Sequence, residues 1–481
     1  MSLPILTLLI SRGHPAHPGC QNQFRETLVF RGYNVSVPLK FLISSGEASG
    51  EFYGAQLIEA LRRRMPGAEF FGVGGDKMRA AGCDTVVDAH EIAVVGLAEV
   101  VRHLPRIYGE FQKLLRVVDA RQPDAAILID FPDFNLRLAK QLHQRGIPVI
   151  YYVSPQLWAW RSGRVKQVRK HVRKMLVIFP FEEAFYRSQE VEVEYVGHPL
   201  AEMSTPEISR ADFAKAHGLD PSKTWIALLP GSRKKEVELN LRAMLGAAKR
   251  LTLPHLGAAS PRVRPLPGDS LATLETAVAA EAAISREIGK RDLLEVLDSA
   301  AAAGSYQFLL PVASSLSSQW LEAEVSRYGL NVVLTPDARA TLVHSRAAVV
   351  ASGTATLEAA LIGTPFVMVY RVAALTWILG KPLVRVKHYA MPNLIAAQQI
   401  VPELVQADFT AENVAAKLRE IIAEGPIRDK MLAGLAQVRR ILACEPGTAG
   451  TAAERAAAAV LGTIGSERRD RPEPRQKSVS Y

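Results

Sequence analysis

The chain alternates short, uniformly apolar segments with segments of helical periodicity, and the alternation occurs in two series. The first series has its apolar segments at residues 39–45, 70–73, 125–130, 149–153 and 175–179. The second follows Gly197-His198-Pro199 and has them at residues 225–229, 307–311, 331–334, 347–351 and 365–370. Uniformly apolar strands between helices are typical of parallel sheets covered on both faces. The sequence therefore predicts two α/β domains, with a seam near residues 200–222 and a ligand-binding cleft between them.

The length of the chain fits this division. It has 481 residues, and a single core stops growing near ~250–300 residues. We predict an irregular extension at 1–38, a first domain at 39–200, a second domain at 201–466 and a disordered tail at 467–481. Residues 251–303 are rich in Ala and Pro, and we interpret them as a surface insertion in the second domain.

Charge and cysteine content restrict the partners and the compartment. Lys and Arg number 58 against 48 Asp and Glu, and the net charge of +10 favours nucleic acid, nucleotide phosphate or an acidic membrane. The three cysteines lie far apart, which argues against a disulfide framework or a zinc knuckle and suits a reducing cytosol. No apolar run reaches the ~18–20 residues of a membrane span. The apolar stretch at 3–10 lacks the basic leader of a signal peptide.

A loop of small residues with two carboxylates, SSGEASGE (44–51), follows the first strand. Small residues at a strand-to-helix turn let a ligand approach the backbone. The carboxylates fit a dinucleotide pyrophosphate badly, whereas Glu47 could accept hydrogen bonds from sugar hydroxyls. The alternative is a plain turn, with Glu51 in the first helical turn and Ser49 as the helix cap.

The second carboxylate loop is IDFPDFN (129–135), which leads into a helix predicted over 135–145 and closed by Gly146. Asp130 ends a buried strand, where parallel α/β sheets place reactive groups. An apolar strand end raises a carboxyl pKa toward the range of a general base, although a structural hydrogen bond is the alternative role. Asp133 precedes the helix, and we predict that it is the N-cap.

Two tryptophans follow the strand at 149–153, in the sequence YYVSPQLWAW (151–160). Trp158 and its neighbour Trp160 could wall a sugar or acyl pocket, or they could fill the core. Residues 161–174 then carry seven Lys or Arg and no acid. On a helix these side chains would form a phosphate-facing or membrane-facing surface, or a solvated face.

The second series contains the best phosphate-binding stretches. LLPGSR (228–233) follows its first strand, and Arg233 next to Ser232 offers a fork of donors to a phosphate. ASGTATLE (351–358) runs from a strand into a helix. The amides and hydroxyls of Ser352, Gly353 and Thr354 would cradle a diphosphate, and Glu358 lies far enough inside the helix to meet a ribose diol. A capped helix start is the alternative.

Two further polar groups follow the last strands of the second series. Arg371 comes directly after the strand at 365–370, and Asn393 lies in the sequence YAMPNL (389–394). We predict that both line the cleft and that Asn393 satisfies a polar group of a ligand. A Pro-Asn turn is the alternative for Asn393.

Together these stretches resemble the lipid-A-disaccharide synthase family, glycosyltransferases of bacterial outer-membrane lipid biosynthesis. The resemblance rests on SGExSGE, IDxPDFN, YVSPxxWAW, LLPGSR, ASGTxTLE and PNL, in this order and spacing. It covers about residues 39–250 and 305–445. It implies the GT-B fold, in which two Rossmann-like domains face a central cleft, with acceptor and membrane on the first domain and the UDP-sugar on the second.

The resemblance also implies a reaction and roles for these residues. The family transfers 2,3-diacylglucosamine from UDP to the 6-hydroxyl of 2,3-diacylglucosamine 1-phosphate, with inversion. The product is a β-1,6-linked disaccharide 1-phosphate, and UDP leaves. Asp130 then matches a candidate catalytic base, and Glu47 matches an important carboxylate of the same cleft. Arg233, Glu358 and Asn393 match positions that serve the donor nucleotide or catalysis.

Several expectations about cofactors and surroundings follow. The sequence has no D-x-D metal motif, so we expect turnover without a metal ion, with Arg233 and the amides from Gly353 onward stabilising the leaving UDP. The acylated substrates imply a cytoplasmic protein bound peripherally to the inner face of the cytoplasmic membrane. An apolar segment with basic flanks could dip into this membrane or pack in the core; its apolar residues are Val94, Val95, Leu97 and Val100, and Arg102, His103 and Arg106 lie nearby. The resemblance also allows a homodimer through exchanged C-terminal segments.

Two other classes of protein share part of this pattern. A UDP-N-acetylglucosamine 2-epimerase or a peptidoglycan glycosyltransferase would share the diphosphate cradle but should lack the WAW and DxPDFN sequences. A basic α/β nucleic-acid-binding module would spread positive charge over one face with interleaved aromatics. Here the basic run is local, so we predict no nucleic-acid partner.

Overall fold

The computed structural model describes residues 38–92, 97–159, 162–252, 306–313, 315–381, 384, 386–443 and 449–470. The predicted extension and insertion lie outside these ranges, apart from residues 38, 251 and 252. Among the described residues, no helix has the length and apolar character needed to cross a membrane.

Strands and helices alternate through the first series, as its apolar segments predict. The elements are β1 (Lys40–Ser45), α1 (Ala48–Arg64), β2 (Glu69–Gly74), α2 (Asp76–Ala80), β3 (Cys83–Asp88), α3 (Ala89–Ile92), α4 (Leu97–Arg121), β4 (Ala125–Ile129), α5 (Pro132–Gln144), β5 (Val149–Tyr152), α6 (Val165–His171), β6 (Lys174–Val177), α7 (Pro180–Arg187) and β7 (Val193–Tyr195). Short 3-10 helices lie at Ser162–Arg164 and Pro199–Glu202. The strands form one parallel sheet in the order β3-β2-β1-β4-β5-β6-β7.

The second series repeats the pattern. Its elements are α8 (Arg210–His217), β8 (Thr224–Leu229), α9 (Lys234–Thr252), β9 (Tyr306–Pro311), α10 (Ser318–Ser326), β10 (Val332–Thr335), α11 (Ala338–His344), β11 (Ala347–Ala351), α12 (Thr354–Ile362), β12 (Phe366–Tyr370), α13 (Ala374–Gly380), α14 (Met391–Ala396), β13 (Glu403–Val405), α15 (Ala411–Ile422), α16 (Pro426–Leu442) and α17 (Ala452–Asp470). A 3-10 helix lies at Gln406–Asp408. The strands form a second parallel sheet in the order β10-β9-β8-β11-β12-β13.

The predicted architecture of two parallel α/β sheets is confirmed. Every predicted strand is present within two residues at either end, and all of them except the partly buried edge strand β10 bury a continuous apolar run on both faces. The strands that the sequence did not predict, β3, β7 and β13, all lie at sheet edges. These three strands mix polar with apolar residues, so they carry no uniform apolar signal, whereas the fourth edge strand, β10, has the sequence VVLT and was predicted.

The last helix, α17, corrects the predicted domain boundary. We assigned residues 201–466 to the second domain, but α17 returns to the first and packs against α1. Arg64 of α1 donates to the carbonyl of Glu454 at 2.8 Å, and Arg455 Nε donates to the carbonyl of Val196, just after β7, at 2.9 Å. The alanines of α17 are buried there, since small side chains let two helices approach closely. The helix also includes residues 467–470, so the predicted tail begins too early.

Each sheet reverses its strand order at one point. In the first sheet the reversal lies between β1 and β4, and in the second it lies between β8 and β11. Ligands of open parallel sheets bind outside the carboxyl ends of the strands at such a point. We therefore expect a ligand-binding site in the loops that follow these four strands.

Candidate active site

The loops after β1 and β4 bring the two predicted carboxylates to one edge of the first sheet. Ser45 and Ile129 are register partners at the ends of these strands, and Glu47 and Asp130 follow them. Gly46 lies between, and a Cβ there would overlap the ring of Phe131. The glycine therefore allows the two loops to pack directly on each other, which holds both carboxylates at the same place.

Asp130 has an unusual backbone conformation and an unusual carboxyl group. Its φ is 44° and that of Phe131 is 51°, values that non-glycine residues rarely adopt. The pKa of Asp130 is raised to about 7, first by burial and then by the negative charge of Glu47. The Phe131 amide and the charge of Arg233 act in the opposite direction. A carboxyl group with a pKa near neutrality can exchange a proton at physiological pH, as a general base must.

Arg233 enters the site from the second sheet, on the loop after β8. Its guanidinium lies 3.0 Å from the carboxylate of Glu47 and 3.1 Å from that of Glu236. The arginine therefore joins the loop after β8 to the loop after β1. Ser232 is exposed beside it, and the Ser315 hydroxyl donates to the Ser232 carbonyl at 2.5 Å.

The turn after β11 presents helix amides at the carboxyl edge of the second sheet. Gly353 precedes α12 with a φ of 137°, and no side chain among the described residues caps this helix. The capped-start alternative is therefore wrong. Thr354 is exposed, whereas the Ser352 hydroxyl is used within the fold and donates to the carbonyl of Tyr389 at 3.1 Å. Uncapped amides at a helix N-terminus favour an anion.

Glu358 lies one turn further along α12 and is partly buried. Burial raises its pKa, the charge of Arg339 lowers it, and that of Asp337 raises it. Its negative charge in turn contributes to the raised pKa of Tyr53, which belongs to α1 of the first domain. The predicted contact of Glu358 with a ribose diol stays a prediction.

Asn393 does not present its amide to the cleft, contrary to our expectation. Its Nδ2 donates to the carbonyl of Val401 at 2.9 Å and to the carboxylate of Glu403 at 2.7 Å. Its Oδ1 accepts from the backbone amides of Ile400 and Val401 at 2.7 and 2.9 Å. The side chain is fully buried and all of its hydrogen-bonding positions are taken, so it holds the loop before β13.

Arg371 also has a role within the fold. Its guanidinium donates to the backbone carbonyls of Gln406 and Phe409 and lies 4.5 Å from the centre of the Phe409 ring. It thus fastens the segment after β13 to the end of β12. The predicted contact with a substrate is not part of this arrangement.

Trp158 takes part in a polar contact that the sequence did not indicate. Its indole Nε1 donates to Glu182 at 3.1 Å, and its ring meets that of Phe181 edge to face at 4.9 Å. Burial raises the pKa of Glu182 to about 8. The other oxygen of Glu182 accepts from the Phe179 amide at 3.1 Å. Glu182 therefore lies at the third position of α7 and caps the start of this helix, as the acidic residue of a capping box does. Trp160 lies outside the described residues.

Asp133 is not the N-cap of α5. The helix begins at Pro132, and Phe131 occupies the capping position. Asp133 points outward from the first turn and pairs with Arg164 at 2.5 Å. The proline starts the helix earlier than expected because its fixed φ suits the first helical position.

The basic run at 161–174 is largely neutralised, which favours the solvated-face alternative. Its pairs with acidic side chains are Arg164–Asp133, Arg169–Glu190, Arg173–Glu192 and Lys174–Glu194.

Comparisons with known proteins place the chain in a family. The family model described as Lipid-A-disaccharide synthetase matches residues 41–265 and 294–445. A lipid-A-disaccharide synthase of Koribacter versatilis is 52% identical over 436 residues, which are 90% of this chain and 100% of that protein. One of Acidobacterium capsulatum is 48% identical over 417 residues, covering 87% and 94% of the two chains.

Solved structures show the same fold at low sequence identity. Staphylococcus aureus MnaA in complex with UDP aligns with a TM-score of 0.51 and 10% identity, over 90% of this chain and 97% of that one. A putative UDP-N-acetylglucosamine 2-epimerase of Listeria monocytogenes aligns with a TM-score of 0.50 and 12% identity, over 91% and 99%. At this identity the likeness concerns the fold alone.

Proposed function

The chain belongs to the lipid-A-disaccharide synthase family, and on that premise we propose how its cleft performs the transfer. The enzyme is a glycosyltransferase of lipid A biosynthesis. It joins UDP-2,3-diacylglucosamine to 2,3-diacylglucosamine 1-phosphate, inverts the anomeric centre and releases UDP. The observation that supports our assignment is the meeting of Asp130, Glu47 and Arg233 at the points where both sheets reverse their strand order.

Asp130 is the general base of this proposal. The 6-hydroxyl oxygen of the acceptor attacks the anomeric carbon of the donor, and its proton passes to the Asp130 carboxylate. The bond between the anomeric carbon and the diphosphate oxygen breaks, and its electron pair leaves with UDP. A pKa near 7 keeps much of Asp130 ionised at neutral pH and makes it a sufficiently strong base.

Arg233 and the start of α12 stabilise the departing diphosphate. The guanidinium offers parallel N–H donors that match phosphate oxygens, and the uncapped amides after Gly353 add the positive end of a helix dipole. Glu47 lies against Arg233 in the place that we assign to the diphosphate. These groups supply positive charge without a metal ion, so we expect none to be needed.

The acylated substrates require contact with a lipid surface, and α4 offers one. Residues 94 and 95 lie outside the described residues, but α4, which begins at Leu97, carries exposed apolar side chains. Leu104 is 49% exposed and Tyr108 is 64% exposed, while Arg106 between them pairs with Glu91 at 2.9 Å. We assign this face to the inner surface of the cytoplasmic membrane. A homodimer through exchange of α17 stays a prediction.

The direct test is transfer itself. The protein is incubated with UDP-2,3-diacylglucosamine and 2,3-diacylglucosamine 1-phosphate, and disaccharide and UDP are measured. Asp130→Asn should bind UDP but form almost no product, a loss of about 10²–10⁴-fold for a missing general base. Asp133→Asn, three residues further along in the first turn of α5, is the matched control and should keep activity. Full activity in Asp130→Asn would remove Asp130 as the base.

A further inference from the structure

The backbone carbonyl of Asp130 is held by two buried side chains. The hydroxyl of Tyr151 donates to it at 2.5 Å and the Nδ2 of Asn135 donates to it at 2.8 Å. Both side chains are fully buried, one on β5 and the other on α5. Two donors therefore converge on the peptide that carries the proposed base.

The amide of Asn135 is itself fixed in orientation. Its Oδ1 accepts from the hydroxyl of Ser44 at 2.7 Å, and its Nδ2 also reaches the carbonyl of Ile129 at 3.1 Å. Rotating the amide would place a donor opposite a donor and an acceptor opposite carbonyl oxygens. The contact with Asp130 is therefore held from β1 as well as from β4.

The conformation held in this way is one that the chain would not keep by itself. Asp130 and Phe131 have left-handed φ values in succession, 44° and 51°. Such conformations persist in non-glycine residues only where the surroundings determine them. If the carbonyl were released, the peptide could relax toward ordinary φ values, and the carboxylate would change direction because it is attached to the same Cα.

Tyr151 can act only as a donor in this contact. Burial raises the pKa of its hydroxyl well above the ordinary value, and the charge of Asp130 raises it further. The neighbouring Tyr152 differs, since its buried hydroxyl has no hydrogen-bond partner among the described residues. The two tyrosines share a strand and full burial but not this contact.

We propose that Tyr151 is a positioning residue for the transfer, and that it acts with Asn135 by fixing the left-handed Asp130 peptide so that the carboxylate points at the acceptor hydroxyl. The inference rests on the proposed role of Asp130 as the base. It assigns an effect on the rate of the chemical step to a buried phenol that contacts the backbone carbonyl of the proposed base.

The test compares Tyr151→Phe with Tyr152→Phe, each of which removes one buried hydroxyl. Because a misplacement of about 1 Å can cost ~10²-fold in rate, Tyr151→Phe should lower kcat at least ~10-fold. The KM for UDP-2,3-diacylglucosamine should stay within about twofold, since Arg233 and the α12 amides are untouched. Tyr152→Phe should keep wild-type kcat and KM, and thermal unfolding should show both variants folded.

A second variant, Ser44→Ala, keeps the proposal testable if Tyr151→Phe fails to fold. Ser44→Ala removes the bond that orients Asn135 and should lower kcat in the same direction, by less. Equal kcat values for Tyr151→Phe, Ser44→Ala and Tyr152→Phe would overturn the positioning role, as would a fall in kcat matched by a rise in donor KM. If Asp130→Asn is fully active, the proposed base has failed instead, so the two failures can be told apart.

Discussion

The guanidinium of Arg233 lies 3.0 Å from the carboxylate of Glu47, and this ion pair joins the loop after β8 to the loop after β1. The same arginine contacts Glu236 at 3.1 Å, so two carboxylates surround the group that we assign to the donor diphosphate. A phosphate can replace Glu47 because it also offers a guanidinium two negatively charged acceptor oxygens. Donor binding would then release Glu47 into the cleft beside Asp130.

Glu47→Gln should therefore bind UDP more tightly than the wild type. Both partners of the ion pair are partly exposed, 40% for Arg233 and 38% for Glu47, and such pairs contribute ~0–1 kcal/mol. The expected gain in affinity is at most about fivefold by calorimetry, while Arg233→Lys should weaken binding by ~10-fold or more, because Lys lacks the bidentate fork. Weaker UDP binding in Glu47→Gln would show that Glu47 does not compete with the diphosphate.

The pH dependence of kcat/KM should report the Asp130 carboxyl. A base must be ionised, so kcat/KM should rise with pH and level off above about pH 7. Glu47 and Arg233 are the charged groups whose fields reach Asp130, and they act in opposite directions. In Glu47→Gln the rise should move to lower pH, because a negative charge that favours the protonated form is gone. A rise unchanged in that variant would contradict the coupling.

The same raised pKa predicts a gain in stability when Asp130 is replaced. The pKa of Asp130 is raised from 3.8 to about 7, so the folded wild type loses stability as pH rises between these values. Asp130→Asn has no such loss. Its melting temperature should exceed that of the wild type at pH 8.5 by more than at pH 5.5, in differential scanning calorimetry. Asp133→Asn, which is exposed, should show no such pH-dependent gain.

The placement of the three charged residues of the cleft could be predicted because the local sequence indicates where each buried strand ends. Glu47, Asp130 and Arg233 each follow a buried apolar strand, and parallel sheets collect such ends at one edge. The partners of Asn393 and Arg371 could not be predicted in this way. They depend on how the segment 400–409 folds back onto β12, and β13, which directs it, is a short edge strand with a weak signal.

The left-handed backbone conformation of Asp130 and Phe131 could not be predicted from the sequence either. Neither is a glycine, and the sequence IDFPDF contains no residue that favours a positive φ except the aspartates. The conformation arises from Tyr151 and Asn135, which hold the carbonyl from another strand and from the following helix. Only the fold brings these donors together.

Removal of divalent metal ions should leave turnover unchanged. Arg233 and the amides at the start of α12 supply the positive charge that a metal would otherwise provide to the leaving diphosphate. We expect equal initial rates with and without excess EDTA, measured as UDP release. Loss of activity in EDTA that returns with added Mg²⁺ would contradict this expectation.

The exposed face of α4 should account for binding to lipid. Replacing both Leu104 and Tyr108 by Ser removes apolar side chains that are 49% and 64% exposed, and which would enter the acyl boundary of a bilayer. Co-sedimentation with anionic liposomes should fall by about 10-fold, because each apolar side chain withdrawn from lipid loses the transfer free energy of its buried area. UDP binding should not change, since the ion-pair partners of Arg233, Glu47 and Glu236, do not belong to α4.

Ile427→Ser provides the matched control for this double variant, because Ile427 is 53% exposed but belongs to α16 in the second domain. If lipid binding depends on exposed apolar area alone, Ile427→Ser should weaken it in proportion to that area. If it depends on the position of α4, Ile427→Ser should bind liposomes like the wild type. Unchanged binding in the α4 variant would remove this face from the membrane contact, whatever the control shows.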